Sequence, residues 1–198
     1  MKKIIISLFF IFSSLFLLFA EESLKNVELY KFLPVEGVKP INNRDYVPEL
    51  VKVIDGAEYF VHAVIYQVGH YPDYPDGVNT DLQNALIRAS GRGVDVDIVV
   101  DQSSWNPSMS VKNEEYAEYM RGFGIKVHFD PADINTHTKV VVIDSLYTVV
   151  GSTNWSFYAL AKNNECASLI KSKALAEVYE KEFKKLLMFV SDTLTIKP

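Results

Sequence analysis

Cysteine is all but missing from this chain. Cys166 is the only one in 198 residues, so no intrachain disulfide can form and a cysteine-rich zinc site is excluded. Flanked by Glu165 and Ala167, it is expected as a small core residue of a strand rather than as a reactive thiol. Basic runs are scarce too, with Lys184-Lys185 alone beyond the N-terminus. Acidic residues outnumber basic ones by 25 to 20, for a net charge of −5. Binders of bulk nucleic acid usually displace counterions with a basic face, so this balance disfavours them unless a local basic groove exists. No internal repeat is visible. None of the remaining His, Asp and Glu residues shows the spacing of a metal-ligand set, so neither a metal nor another cofactor is expected.

One long apolar run is present. Ile4 to Ala20, broken only by Ser7, Ser13 and Ser14, follows Met1-Lys2-Lys3 and reads as an export segment. Residues 1–20 are expected as a signal peptide cleaved near Ala20-Glu21, or as an N-terminal membrane anchor giving association through residues 4–20. Leu18 stands where a small residue is preferred. The run is also longer than a usual signal core of about 7–15 residues and shorter than the roughly 20 of a spanning helix. Either form sends the body to the periplasm or the exterior. Removing it leaves 178 residues with a net charge of −7, enough for one α/β domain with a substantial core.

Residues 21–43, with Pro34, Gly37, Pro40, Asn42 and Asn43, show no sustained period and are expected as a lead-in to a domain spanning 44–198. A helix is expected from Tyr46 to Ile54, ending near Gly56. The run Glu58 to Val68 reads as a strand covered on both faces. Tyr71 to Gly77 is a loop; Thr80-Asp81-Leu82-Gln83 has capping-box spacing ahead of a helix with Leu82, Ala85, Leu86 and Ala89 inward, ended by Gly91 and Gly93. Strands follow at Val94–Val100, Ile125–Phe129, Thr138–Ile143, Tyr147–Val150 and Glu165–Ile170. A short helix is marked by Tyr116, Tyr119, Met120 and Phe123. Leu175, Val178, Tyr179, Phe183, Leu186, Leu187 and Val190 form the stripe of a terminal helix. This alternation specifies a mixed β-sheet sandwiched by helices.

The chemistry concentrates between His137 and Glu165. His137 and Lys139, two apart at an apolar strand, are expected on one face, where an imidazole and a fixed cation together suit a phosphate. Asp144 has the opposite parity at the strand's end and reads as an organiser. The spacing His137-x-Lys139-x4-Asp144-x6-Gly151-Ser152-x-Asn154 resembles the signature of the phospholipase D superfamily. The resemblance extends downstream to Glu165 in Asn163-Asn164-Glu165, and upstream through Ala85–Ala89, Arg92-Gly93-Val94 and the strand to Asp101. It covers roughly residues 44 to 190. A buried strand carrying His and Lys by chance is the competing reading, disfavoured because Lys is rarely buried without a partner.

That resemblance implies a phospholipase D-like fold and a covalent phosphohistidine mechanism with two catalytic imidazoles. One attacks phosphorus; the other protonates the leaving oxygen and then activates water. The chain holds one signature, so a homodimer is expected to complete the site, a two-fold axis placing each His137 near its mate. Within it His137 is nucleophile or acid/base, Lys139, Ser152 and Asn154 bind the phosphate, Glu165 orients the imidazole and Asp144 braces the loop around the site. His62 is expected as a core histidine, with His70 and His128 at strand ends. Asp101, at a strand's C-terminal edge, reads as capping the next loop, with lining the cleft as the alternative, and Trp155 and Tyr66 as core or substrate-flanking aromatics. The loops Tyr71–Gly77 and Trp105–Met109 are the candidate cleft walls. Single-motif relatives include endonucleases and phospholipid hydrolases. Size, the single motif and the export segment look most like the exported nuclease type acting on DNA or RNA, whereas the acidity and a possible membrane tether point to a phospholipid or small diester. Phospholipase D-type hydrolysis is the expectation, the nuclease its alternative. A degenerate anion-binding module would have no use for the intact His, Lys, Asn and Glu set.

Overall fold

The computed structural model describes residues 32–196, and the expected export segment lies outside them. Among the described residues no helix is long and apolar enough to cross a membrane. Seven strands of the described residues form one mixed sheet. In chain order the elements are β1 (Gly37–Pro40), α1 (Tyr46–Asp55), β2 (Phe60–Ile65), α2 (Val78–Gly91), β3 (Asp95–Val100), α3 (Pro107–Arg121), β4 (Lys126–Phe129), β5 (Lys139–Ile143), β6 (Tyr147–Gly151), α4 (Phe157–Ala161), β7 (Ala167–Lys171) and α5 (Lys173–Leu187). Their order across the sheet is β1-β7-β6-β5-β2-β3-β4. Strands β2, β3 and β4 run parallel, whereas every pairing from β2 through β5, β6 and β7 to β1 is antiparallel.

Side-chain alternation divides the core. Val61, Ala63 and Ile65 of β2, with Val141 and Ile143 of β5, face Leu50 and Ile54 of α1, Leu82 and Leu86 of α2, and Tyr116 and Met120 of α3. On the opposite face Val64 and Val99 meet Phe183 of α5, and Val140 and Val142 meet Ala176. Both faces of the central strands are therefore covered, which is why they read as continuous apolar runs. Fully burying each such side chain contributes about 1.5–3 kcal/mol.

Several local expectations are corrected. The capping box at Thr80 does not form, because extended Gly77 opens α2 three residues earlier; Thr80 instead donates its hydroxyl to the Tyr74 carbonyl at 3.2 Å. The helix marked by Tyr116 is a full 15 residues, starting at Pro107, whose missing N–H costs nothing in a first turn. This converts most of the expected Trp105–Met109 loop into helix. The lead-in supplies β1, paired with β7. In the terminal stripe Phe183 is buried as expected and Tyr179, Leu186, Leu187 and Val190 pack partly buried against the core, but Val178 is exposed, and α5 also buries Ala176 and Glu180. Cys166 is exposed rather than in the core, since β7 begins at Ala167, which faces inward and turns its neighbour out.

Candidate active site

The topology gathers five chain segments at one edge of the sheet. The C-terminal ends of β2, β3, β4 and β6 lie there, together with the start of β5, because Ile65 pairs with both Val100 and Lys139, and Val140 with Val150. His137 stands in the loop entering β5 and is exposed, its N–H on the Asn135 carbonyl at 3.1 Å. Pairing of β5 begins only at Lys139, so the two residues do not share a regular strand as expected. They still meet. Lys139 Nζ donates to the His137 carbonyl at 3.0 Å, and both groups rest on Tyr66, the ammonium 4.8 Å and the imidazole 4.6 Å from its ring centre.

Lys139 is buried, 8 % exposed, and that burial lowers its pKa, opposed by the negative charges of Glu165 and Asp101. A desolvated cation beside an open imidazole is poised to receive an anion that restores its lost solvation.

Beyond β6 the chain must pass β7 at close range. A Cβ on Gly151 would stand 2.3 Å from the Cys166 carbonyl oxygen and 2.6 Å from Ala167 Cα, so only glycine fits. Ser152 follows, its N–H on the Cys166 carbonyl at 2.9 Å and its hydroxyl on the Glu165 carboxylate. The other Glu165 oxygen accepts from the Asn163 amide at 3.0 Å. Glu165 thus holds Ser152 and Asn163, not the His137 imidazole of its own chain, and the Ser152 hydroxyl is committed to it. Asn154 is half-buried and its Oδ1 has no partner among the described residues. The residue lines a cleft of about 490 Å³ together with Gln67, Tyr71, Tyr74, Lys112, Phe157 and Tyr158, among others. The Tyr71–Gly77 loop is a wall of it, as expected; α3 contributes Lys112, beyond the 105–109 segment anticipated.

Asp144 is elsewhere. It closes the far end of β5, about 16 Å along the strand from Lys139. Its carboxylate accepts three backbone N–H groups, from Glu58, Tyr59 and Phe60, each at 2.9 Å. It braces the entry to β2 at the opposite edge of the sheet rather than a loop around the site, because the hairpin turn carries it away. Asp144 and Ser145 both take positive φ, 54° and 51°, in the mirror-image turn that suits strand twist.

The remaining candidates have structural surroundings. His62 is stacked between Phe60 and Phe183 with Nδ1 2.9 Å from Glu180, and His70 lies on Tyr119. His128 sits between Asp97 and Asp192, whose carboxylates, Asp97 foremost, raise its pKa. Trp155 is core, donating to the Tyr46 hydroxyl at 3.1 Å, whereas Tyr66 lines the site. Asp101 caps the loop after β3 through Ser103 and also receives the Thr136 N–H at 2.7 Å. Among the described residues no three His, Cys, Asp or Glu side chains come together as a metal site.

Three supports escaped the sequence reading. Asn43, at φ 52°, accepts the Glu165 N–H at 2.7 Å, and Asn42 accepts that of Ala167 at 3.1 Å, so the lead-in anchors the Glu165 strand. Buried Asn113 of α3 donates to the Tyr66 and Asp101 carbonyls at 3.0 and 2.8 Å. A lone asparagine carries no periodic signal, and only its buried partners reveal it.

The family profile described as cardiolipin synthase, PLD-like domain, matches residues 50–187. Phospholipase D of Rickettsia conorii is 33% identical over 98 residues, 50% of this chain and 46% of that protein. The mitochondrial cardiolipin hydrolase of Chlamydomonas reinhardtii is 27% identical over 108 residues, 54% of this chain and 46% of the relative. The chain thus spans about half the length of these relatives. Among solved structures, Nuc of Salmonella typhimurium, a phospholipase D family member, superposes with a TM-score of 0.67 at 24% identity, covering 80% of this chain and 99% of Nuc. NucT of Helicobacter pylori gives 0.63 at 21% identity, covering 78% and 97%. These two likenesses show the shared fold.

Proposed function

The chain belongs to the phospholipase D superfamily, and from that premise we propose that it is a metal-independent phosphodiesterase working through a phosphohistidine on His137. The observation that carries this reading is the convergence of an exposed imidazole and a desolvated ammonium at one sheet edge, with Asn154 in the cleft beside them.

In the proposed cycle a neutral His137 nitrogen attacks phosphorus and the bond to the leaving oxygen breaks. That oxygen takes a proton from the protonated His137 of a second copy. The second imidazole, now neutral, removes a proton from water; the water oxygen attacks phosphorus and the phosphorus–nitrogen bond breaks, returning both imidazoles to their starting states. Lys139 and the Asn154 amide stabilise the charge gathering on the non-bridging oxygens. Glu165, bonded to Ser152 and Asn163 in its own chain, is free to orient an imidazole only across the two-fold axis.

For substrate we favour a phospholipid, hydrolysed in the manner of phospholipase D by an exported or N-terminally tethered domain. The net acidity supports this, as do the relatives named phospholipase D and cardiolipin hydrolase. One observation favours an exported endonuclease instead: the cleft beside Asn154 is lined by aromatic rings, amides and Lys112, with no carboxylate, a chemistry that also suits stacked bases. A side-by-side assay on phosphatidylcholine, cardiolipin, single-stranded and duplex DNA decides. Phospholipid turnover exceeding DNA turnover at physiological salt is expected. Nuclease activity falling steeply with log[salt] reverses the choice.

A further inference from the structure

Beneath the loop carrying His137 lies a buried acidic pair that the proposed cycle does not use. Asp101 follows β3 and Asp130 follows β4; the preceding residues, Val100 and Phe129, are paired, so the two carboxyl groups sit beside one another at the site edge. Both residues are fully buried. Asp101 holds the Thr136 N–H with one oxygen and the Ser103 hydroxyl with the other. Asp130 accepts the Gln102 N–H at 2.7 Å, and its second oxygen has no partner among the described residues. Thr136 immediately precedes His137, whose carbonyl is gripped from the other side by Lys139.

We infer that Asp101 is a positioning residue for the nucleophile, holding the backbone one residue ahead of His137, with the Asp130 carboxyl as its buried support. Two adjacent buried carboxyls cannot both ionise cheaply. Burial foremost, with the Asp101 charge beside it, pushes Asp130 up to about 7, against hydrogen bonds from Thr136 and the Gln102 backbone. The charged group facing the pair from β5 is Lys139; α3 presents only the neutral Asn113, and the C-terminal segment reaches Gln102 through Thr195. The sign follows. Folded Asp130 binds its proton more tightly than unfolded Asp130, so its contribution to stability is full below the ordinary carboxylate range and is lost as pH rises through about 7. Above that pH a second negative charge confronts Asp101 and loosens its hold on Thr136.

The kinetic part of this inference rests on the phosphodiesterase reading; the structural part does not. The test compares Asp101→Ala, Asp101→Asn and Asp130→Asn in the full chain by turnover, thermal melting and hydrogen exchange at the Thr136 amide. Asp101→Ala is expected to speed that exchange about tenfold and lower kcat about tenfold with KM little changed, and Asp101→Asn, which keeps an acceptor, to restore both to within roughly threefold. Asp130→Asn is expected to abolish the decline in melting temperature on the alkaline side of pH 7. An unmoved Thr136 amide in Asp101→Ala, or a decline that persists in Asp130→Asn, overturns the inference. Because amide exchange needs no turnover, a wild-type chain that cleaves no phosphodiester would sink the functional reading separately.

Discussion

The two ends of β5 carry residues of one signature and do opposite things. At the Asp144 end every carboxylate oxygen is occupied by backbone N–H groups. At the His137 end the imidazole is exposed and the Lys139 ammonium is desolvated. Satisfied groups hold a fold; groups left unsatisfied by the fold are available to a ligand. A contiguous motif therefore joins one structural residue to several site residues, and sequence spacing does not tell them apart.

The sharpest test of that contrast is His137→Ala. Removing the proposed nucleophile is expected to lower kcat by about 10⁴-fold or more while leaving the melting temperature unchanged, since the side chain is exposed. Mixed dimers of wild-type and mutant chains should be nearly inactive as well, because the proposed cycle uses this residue twice; half-activity would show that each protomer works alone. Lys139→Met comes next, with an expected loss of roughly 10²–10³-fold in kcat. Its stability should hold or rise, because a buried charge is replaced by an apolar chain of similar shape.

Asp144→Ala should behave in the opposite way. Losing three backbone hydrogen bonds to a carboxylate costs about 2–3 kcal/mol, read by denaturant unfolding, with kcat per folded molecule intact. Asp144→Asn should be milder, since asparagine tolerates the positive φ of 54° at this turn. A kcat collapse in a folded Asp144 variant would erase the distinction between the two ends. The smallest expected effect is that of chelation. If Lys139 supplies the positive charge, excess EDTA leaves turnover unchanged. Loss on chelation, restored by a divalent ion, would remove Lys139 from that role.

Much of the fold was legible because it is written in periodicity. The apolar runs of β2, β3 and β5 and the stripe of α2 are local patterns that burial enforces, and the mixed sheet between helices followed from their alternation. The misses are where context overrides pattern. Gly77 rather than Thr80 opens α2, because an extended glycine already supplies the turn into the helix. Cys166 looked like a core residue, yet one residue of strand register turns it outward. Four residues of the aperiodic lead-in became β1 only because β7 offered a free edge to pair with.

The site divides along the same line. By itself the sequence singled out the candidate site residues: His137, Lys139, Ser152, Asn154 and Glu165 are reactive, polar or charged types at fixed intervals, and interval is a property of the chain. Gly151 is also legible there, as the small residue the spacing demands. Only the tertiary structure decided what each group touches. It turned the Lys139 ammonium onto the His137 carbonyl and the Tyr66 ring, tied Glu165 to Ser152, sent Asp144 to the far edge, and set Asp101 and Asp130 beneath the nucleophile's loop. These are contacts between residues far apart in sequence, fixed by strand order and register, and no local pattern encodes them.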